Sequence, residues 1–149
     1  MSIGAFCTRE VVIAERDTGV VELAQLMRKH HVGDVIVVEK QGDLVVPVGI
    51  ITDRDIVVEL IAGQVDLDSV TTGDVMNPEL ITATEKEGIW DTLQRMRSKG
   101  IRRLPVINED GGLEGILTVD DLIELLADEL ALLAKIAGHG LELEEKRRE

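Results

Sequence analysis

Gly49-Ile50-Ile51-Thr52-Asp53-Arg54-Asp55-Ile56 returns later in the chain as Gly115-Ile116-Leu117-Thr118-Val119-Asp120-Asp121-Leu122. Each copy reads as the end of a buried strand, made of Gly, two aliphatics and Thr, that runs into a helix with an acidic start. A Thr three residues ahead of an Asp has a local explanation. The hydroxyl accepts a backbone N–H and caps the helix, while the carboxylate sits in the positive first turn. The same pair also suits a ligand, and its duplication in matched surroundings keeps both readings in play.

Those surroundings emerge when the chain is slid along itself. At an offset of 69, Gly4 falls on Gly73, Glu10 on Glu79, Ala14 on Ala83, Gly19 on Gly88, Met27 on Met96, Arg28 on Arg97 and Val37 on Val106. Beyond Val38 the offset is 66, because the Glu39–Val48 connection is three residues longer than Asn108–Glu114. The chain is a tandem duplication, and each half is short for a domain that must stabilise itself alone. Two halves packed as one body are therefore expected, residues 1–66 and 67–137, followed by a charged tail, 138–149.

Within each half the order β-α-β-β-α can be read. Short extended segments lie at Val11–Ala14 and Leu80–Ala83. Helices follow at Val20–Lys29 and Ile89–Ser98, with Val20, Leu23, Ala24 and Met27, or Ile89, Leu93 and Met96, at helical spacing. Strands at Asp34–Glu39 and Leu104–Ile107 lead through polar turns into the repeated motif. The last helix is expected over Val119–Ala137, broken by Gly138-His139-Gly140. The fold class is α/β (α+β), as two β-α-β-β-α repeats in pseudo-twofold packing.

Composition narrows the function. The chain has 149 residues, 44% of them apolar, with Phe6 and Trp90 its only aromatics. That describes a folded chain rather than a disordered one. A net charge of −13 argues against nucleic acid or an anionic membrane as partner. Cys7 stands alone, so neither a disulfide framework nor a cysteine metal cluster is expected. No signal-like segment or membrane-length apolar run is present, and a soluble cytoplasmic protein is expected.

Taken together, these residues resemble the cystathionine β-synthase (CBS) domain family, in particular a stand-alone tandem pair, the Bateman module. The resemblance rests on Thr72-Gly73-Asp74-Val75-Met76-Asn77-Pro78, on Gly100-Ile101-Arg102-Arg103-Leu104-Pro105-Val106 and on the closing Gly-Ile-x-Thr-x-x-Asp. The first half departs from it, with Cys7-Thr8-Arg9 in place of Met76-Asn77-Pro78 and Gly33-Asp34-Val35-Ile36 in place of Arg102-Arg103-Leu104-Pro105.

The resemblance implies two clefts between the repeats for adenosine-containing ligands: AMP, ADP, ATP, NAD or S-adenosylmethionine. One cleft joins Ile50, Thr52, Asp53, Arg54 and Asp55 to Met76, Ile81, Ile101, Arg102 and Arg103. The other joins Ile116, Thr118 and Asp121 to Cys7, Val12, Val32, Gly33 and Asp34. Asp suits ribose hydroxyls, Thr and free first-turn N–H groups suit phosphate, and aliphatic walls suit adenine. Because Arg102 and Arg103 attract phosphate where Asp34 repels it, the Thr52/Asp55 cleft is expected to be the stronger. Arg102 and Arg103 as ordinary solvated arginines is the plain alternative.

The other reactive side chains have ordinary explanations. His30 and His31 end a helix, where an imidazolium is favourable, and adjacent residues do not aim at one metal. Acids at helix starts are ordinary, so Mg²⁺ is expected only with a nucleotide. With no phosphate loop, dinucleotide fingerprint or zinc cluster, the chain reads as a non-catalytic sensor that acts through a regulated protein or a homodimer. The helices at Val20–Lys29, Arg54–Ala62, Ile89–Ser98 and Val119–Ala137 are the expected dimer faces. The alternative is a constitutive dimerisation or interaction module in which Thr-x-x-Asp only caps helices.

Overall fold

A computed structural model describes residues 1–148. The two repeats build two matching three-stranded sheets. In the first, β1 (Ile13–Glu15) runs parallel to β2 (Asp34–Gln41), which pairs antiparallel with β3 (Leu44–Thr52). In the second, β4 (Ala83–Thr84), β5 (Arg103–Ile107) and β6 (Leu113–Thr118) repeat that order and direction. Even the register irregularities correspond, at Val37/Val38 and at Val106/Ile107. The helices are α1 (Val20–His30), α2 (Asp53–Asp55), α3 (Thr72–Val75), α4 (Ile89–Lys99) and α5 (Val119–Arg148). The expected mixed fold and repeat are what the structure contains.

β2 carries Val35, Ile36, Val37 and Val38, all buried. Four consecutive buried β-branched residues are characteristic of a strand covered on both faces. Val35 and Val37 face the core of the first repeat, with Leu23, Met27 and Ile51. Ile36 and Val38 meet Ile116 of the second repeat, where the two sheets share an apolar seam. α1 buries Val20, Leu23 and Met27 but leaves Ala24 exposed, and α4 buries Ile89, Thr92 and Met96.

The segments that precede each first strand change sides. Ile3 and Cys7 lie in the core of the second repeat with Ala83, Met96, Leu104 and Leu117, while Met76 lies in the core of the first. The exchange is symmetric at the level of single hydrogen bonds. The N–H of Gly4 donates to the Glu85 carbonyl at 3.0 Å, and that of Gly73 donates to the Arg16 carbonyl at 2.8 Å. The Ile3 N–H reaches the Glu87 carbonyl at 2.9 Å and the Thr72 N–H the Thr18 carbonyl at 2.8 Å.

Two helices differ from expectation. After α2 the backbone widens into a π-helical stretch, Ile56–Ile61, where the Ala62 N–H donates to the Val57 carbonyl at 2.9 Å. More important, α5 does not break at Gly138-His139-Gly140 but continues to Arg148. A glycine weakens a helix by about 1 kcal/mol relative to Ala without forbidding it. Neither Gly138 nor Gly140 takes the positive φ of a helix stop, and the strong helix formers Leu141-Glu142-Leu143-Glu144-Glu145-Lys146 follow. The expected tail at 138–149 is thus helical over its described residues.

Candidate functional site

Both Thr-x-x-Asp motifs are complete capping boxes. The Thr52 N–H donates to Asp55 Oδ2 at 2.8 Å and the Asp55 N–H donates to Thr52 Oγ1 at 3.2 Å. In the second copy the Thr118 N–H and hydroxyl both donate to Asp121 Oδ2, at 2.9 and 2.7 Å, and the Asp121 N–H returns to Thr118 Oγ1 at 3.1 Å. The local explanation of the motif is therefore realised. It uses Oδ2 of each carboxylate, and the side chains of both Asp residues are only half-buried. A third capping box, Thr71/Asp74, forms at α3.

Each strand end is flanked by the lead-in segment of the other repeat. The Asn77 N–H donates to the Ile50 carbonyl at 3.3 Å; Thr8 and Ile116 exchange two bonds of 2.9 Å. The glycines that open the motifs allow this approach. A Cβ on Gly49 would lie 2.5 Å from Met76 Sδ, and one on Gly115 would lie 2.7 Å from the Thr8 carbonyl oxygen and 2.9 Å from Cys7 Sγ. Ile50 with Met76, and Ile116 with Cys7, are thus brought together as expected. Asp121 is near enough to act on the Cys7 thiol. Burial pushes that thiol up; Arg9 pulls it down, and Glu85 and Asp121 push it up again.

The backbone at the start of each middle strand is bonded within its own repeat. The Asp53 N–H donates to the Gly33 carbonyl at 2.9 Å, and the Val119 N–H donates to the Arg102 carbonyl at 2.9 Å. Asp34 is in register with Thr52, and Arg103 with Thr118. Gly33 and Asp34 therefore stand beside Thr52 and Asp53 of their own repeat, and Arg102 and Arg103 beside Val119 and Thr118 of theirs. Likewise Ile81 and Ile101 pack against the second core, and the exposed Arg102 lies 4.0 Å from Asp120. Antiparallel pairing of adjacent strands fixes this: a strand end is lined first by the neighbour to which it is hydrogen-bonded.

Arg103 is the exception, because its side chain reaches across. Its Nε donates to Asp34 Oδ1 at 2.6 Å, with the two side chains 33% and 15% exposed. Burial pushes the Asp34 carboxyl up, Arg103 pulls it down and Asp53 adds a further upward push. The expected contrast between a free arginine in one cleft and a repelling aspartate in the other is replaced by one ion pair in which each offsets the other.

Two cavities border these elements. One of about 410 Å³ is lined by Asp55, Glu59, Leu60, Val65, Asp74 and Asn77. Its three carboxylates disfavour phosphate. Another, of about 600 Å³, is lined by Val11, Val12, Leu26 and Val32, with Arg9, Glu10 and His30. It has aliphatic walls, two basic side chains and a volume suited to a small molecule. Arg9 is held by Glu85 at 2.5 Å and Glu114 at 3.2 Å. Arg9 is thus offset by two carboxylates and Glu10 adds another, so the lining charges do not rank the two sides for an anionic group. The sequence did not single out Arg9 and His30 as lining residues, since Arg9 stands where the second repeat has Pro78 and His30 reads as a helix end.

Among the described residues no group of three or more His, Cys, Asp or Glu is gathered to hold a metal ion, and no helix is long and apolar enough to cross a membrane. The CBS domain family model matches residues 3–62 and 73–128. An uncharacterized protein of Methanopyrus kandleri, MK0525, is 34% identical over 84% of this chain, which spans 62% of that relative's length. The CBS domain-containing protein YhcV of Bacillus subtilis is 35% identical, over 77% of this chain and 78% of its own. A conserved protein of Pyrococcus horikoshii superposes with a TM-score of 0.73 at 27% identity, covering 83% of this chain and 90% of that one. The CBS domain pair of protein MJ0100, solved with 5′-methylthioadenosine and S-adenosyl-L-methionine, has a TM-score of 0.73 at 25% identity, covering 85% and 99%.

Proposed function

The chain belongs to the CBS domain family as a tandem pair, and on that premise we propose that it is a non-catalytic cytoplasmic regulator that binds an adenosine-containing ligand between its repeats. The observation that carries this reading is the aliphatic cavity of about 600 Å³ at Val12 and Val32, lined by first-repeat residues and tied to the second repeat where Arg9 pairs with Glu85 and Glu114. Arg9 belongs to the same lead-in segment that is bonded to Ile116 through Thr8. Adenine takes the valine walls, a phosphate or carboxylate competes with Glu85 and Glu114 for Arg9, and Asp121 Oδ1, which the capping box does not use, serves ribose hydroxyls. The Asp55 side offers the same acceptor in more acidic surroundings and takes a less anionic ligand, or a nucleotide that brings Mg²⁺. The MJ0100 pair supports an adenosine ligand in general, and the choice among AMP, ADP, ATP, NAD and S-adenosylmethionine falls to experiment. Contacts that span both repeats alter how firmly the two are held together, and the output passes to a regulated protein or through a homodimer.

The complete capping boxes favour a second reading, a constitutive interaction module whose motif serves only the helices. Melting of the purified protein, free of co-purified nucleotide, against the five ligands separates the two. At a hundredfold excess over Kd, a native-state ligand adds about 2.7 kcal/mol, which raises Tm by roughly 5–10 °C in a chain of this length. The sensor reading expects one such shift, lost when Val32→Trp fills the cavity and reduced in Asp121→Ala more than in Asp55→Ala. No shift with any ligand leaves the interaction module as the account of this protein.

A further inference from the structure

The apolar seam between the two sheets ends in four polar side chains. Directly opposed residues of an antiparallel pair project to the same face of their sheet, and alternate residues along a strand share that face. Ile36 and Ile116 lie in the seam. Two residues earlier on β2 is Asp34, opposite Thr52; two residues later on β6 is Thr118, opposite Arg103. All four therefore project from the two sheets into one end of the seam. Positions 34 and 103 are equivalent in the repeat, as are 52 and 118. Equivalent residues of two related units touch each other at the axis that relates them. The Asp34–Arg103 ion pair, 2.6 Å long, thus stands on the pseudo-twofold axis, with Thr52 to one side of it and Thr118 to the other.

Asp34 is a weak holder of that guanidinium. It is 15% exposed, and burial and the neighbouring Asp53 both disfavour its charge. A phosphate brings up to two negative charges and three acceptor oxygens to the same donors. The other guanidiniums near the clefts are placed differently: Arg9 is shared by Glu85 and Glu114, while Arg54 and Arg102 are exposed to water, where an ion pair adds little. We propose that the seam end is a single anion position, in which a phosphate beside Thr52 or Thr118 takes Arg103 from Asp34, so that the two clefts hold one phosphate-bearing ligand between them. One guanidinium divided between two anions holds each more weakly, and Asp34, once released, repels both. A neutral adenosine compound leaves the pair intact. The inference rests on the adenosine reading above and adds to it a partner for the phosphate and a stoichiometry.

Carboxyl-carbon NMR of the full chain, labelled at its Asp side chains, reads the exchange directly, with AMP and adenosine as probes and the Asp34 signal assigned by its loss in Asp34→Asn. Saturating AMP raises the Asp34 titration midpoint by about one unit or more, as the loss of a close cation requires; saturating adenosine leaves it where it was. Calorimetry gives one AMP per chain, bound about tenfold more tightly in Asp34→Asn, with the affinity for adenosine the same in both proteins. The inference is overturned, and the adenosine reading left standing, by an Asp34 midpoint that bound AMP does not move, by two AMP per chain of comparable affinity, by an AMP affinity that Asp34→Asn leaves unchanged, or by adenosine binding where AMP does not. Failure of both probes to bind also overturns it, and the melting panel above then decides the adenosine reading separately.

Discussion

Removing one partner of the Asp34–Arg103 pair has a different effect depending on which is removed. Arg103→Met leaves a carboxylate at 15% exposure facing its neighbour Asp53 with no cation. Stranding one member of a fully buried pair costs about 3–5 kcal/mol; with Arg103 a third exposed, roughly 2–3 kcal/mol is expected here. That lowers Tm by roughly 5–10 °C. Asp34→Asn instead relieves the burial penalty, keeps an oxygen for the guanidinium, and leaves Arg103 in contact with water, for a loss under about 1 kcal/mol. The pH dependence follows from the raised carboxyl. A group whose native pKa lies above its ordinary value, 3.8 for Asp34, stabilises the fold fully below that value and loses this contribution as pH rises through the native one. Without Arg103 the native value climbs further, so the loss in Arg103→Met is greatest at the high end of the pH range and shrinks as pH falls towards the ordinary carboxyl value. Melting of both single variants and the double variant from pH 5 to 8 checks this. Equal losses for the two single variants, or a larger loss for Asp34→Asn, refute the argument; so does a double variant no more stable than Arg103→Met.

Gly115→Ala drives a Cβ against the Thr8 backbone and destabilises by roughly 2–3 kcal/mol, more than Gly49→Ala, whose nearest obstacle is the pliable Met76 side chain; chemical denaturation ranks them. His31 caps α1 at φ 55, where the second repeat has Gly100 at φ 66. His31→Gly should therefore raise stability by about 1 kcal/mol, or roughly 2–4 °C in Tm. The buried Cys7 thiol, pushed up by its surroundings, should react with a disulfide reagent at pH 8 at least tenfold more slowly in the native protein than in denaturant. Thr52→Val breaks the Asp55 capping box and lowers stability by about 1 kcal/mol, measured by urea titration, whether or not a ligand binds.

The duplication, the element order and the capping boxes were legible because each is written in local spacing. Thr52 and Asp55 are three apart, and three apart is what a cap needs. The partner of Arg103 was not, since nothing in the spacing of Arg102-Arg103 says that one guanidinium turns to Asp120 and the other crosses to Asp34. Ile81 and Ile101 pack partly against the second core while Arg103 reaches the first repeat, a difference that residue spacing does not encode. The run of α5 through Gly138 and Gly140 was missed because a glycine's weakness is local, while helix continuity depends on the formers on either side.

The exchanged lead-in segments also carry a history. A polypeptide of a single repeat, with Ile3 and Cys7 meant for another core, completes itself only with a second molecule, as a homodimer. Fusing two such genes makes the exchange internal and replaces a concentration-dependent encounter with a tether's effective concentration. It also frees the two halves to mutate apart. Positions 34 and 103 are the same site in the two repeats, so an unfused ancestor with perfect symmetry sets identical residues there, aspartate against aspartate or arginine against arginine. The Asp34–Arg103 ion pair is a bond that only divergence after fusion can write.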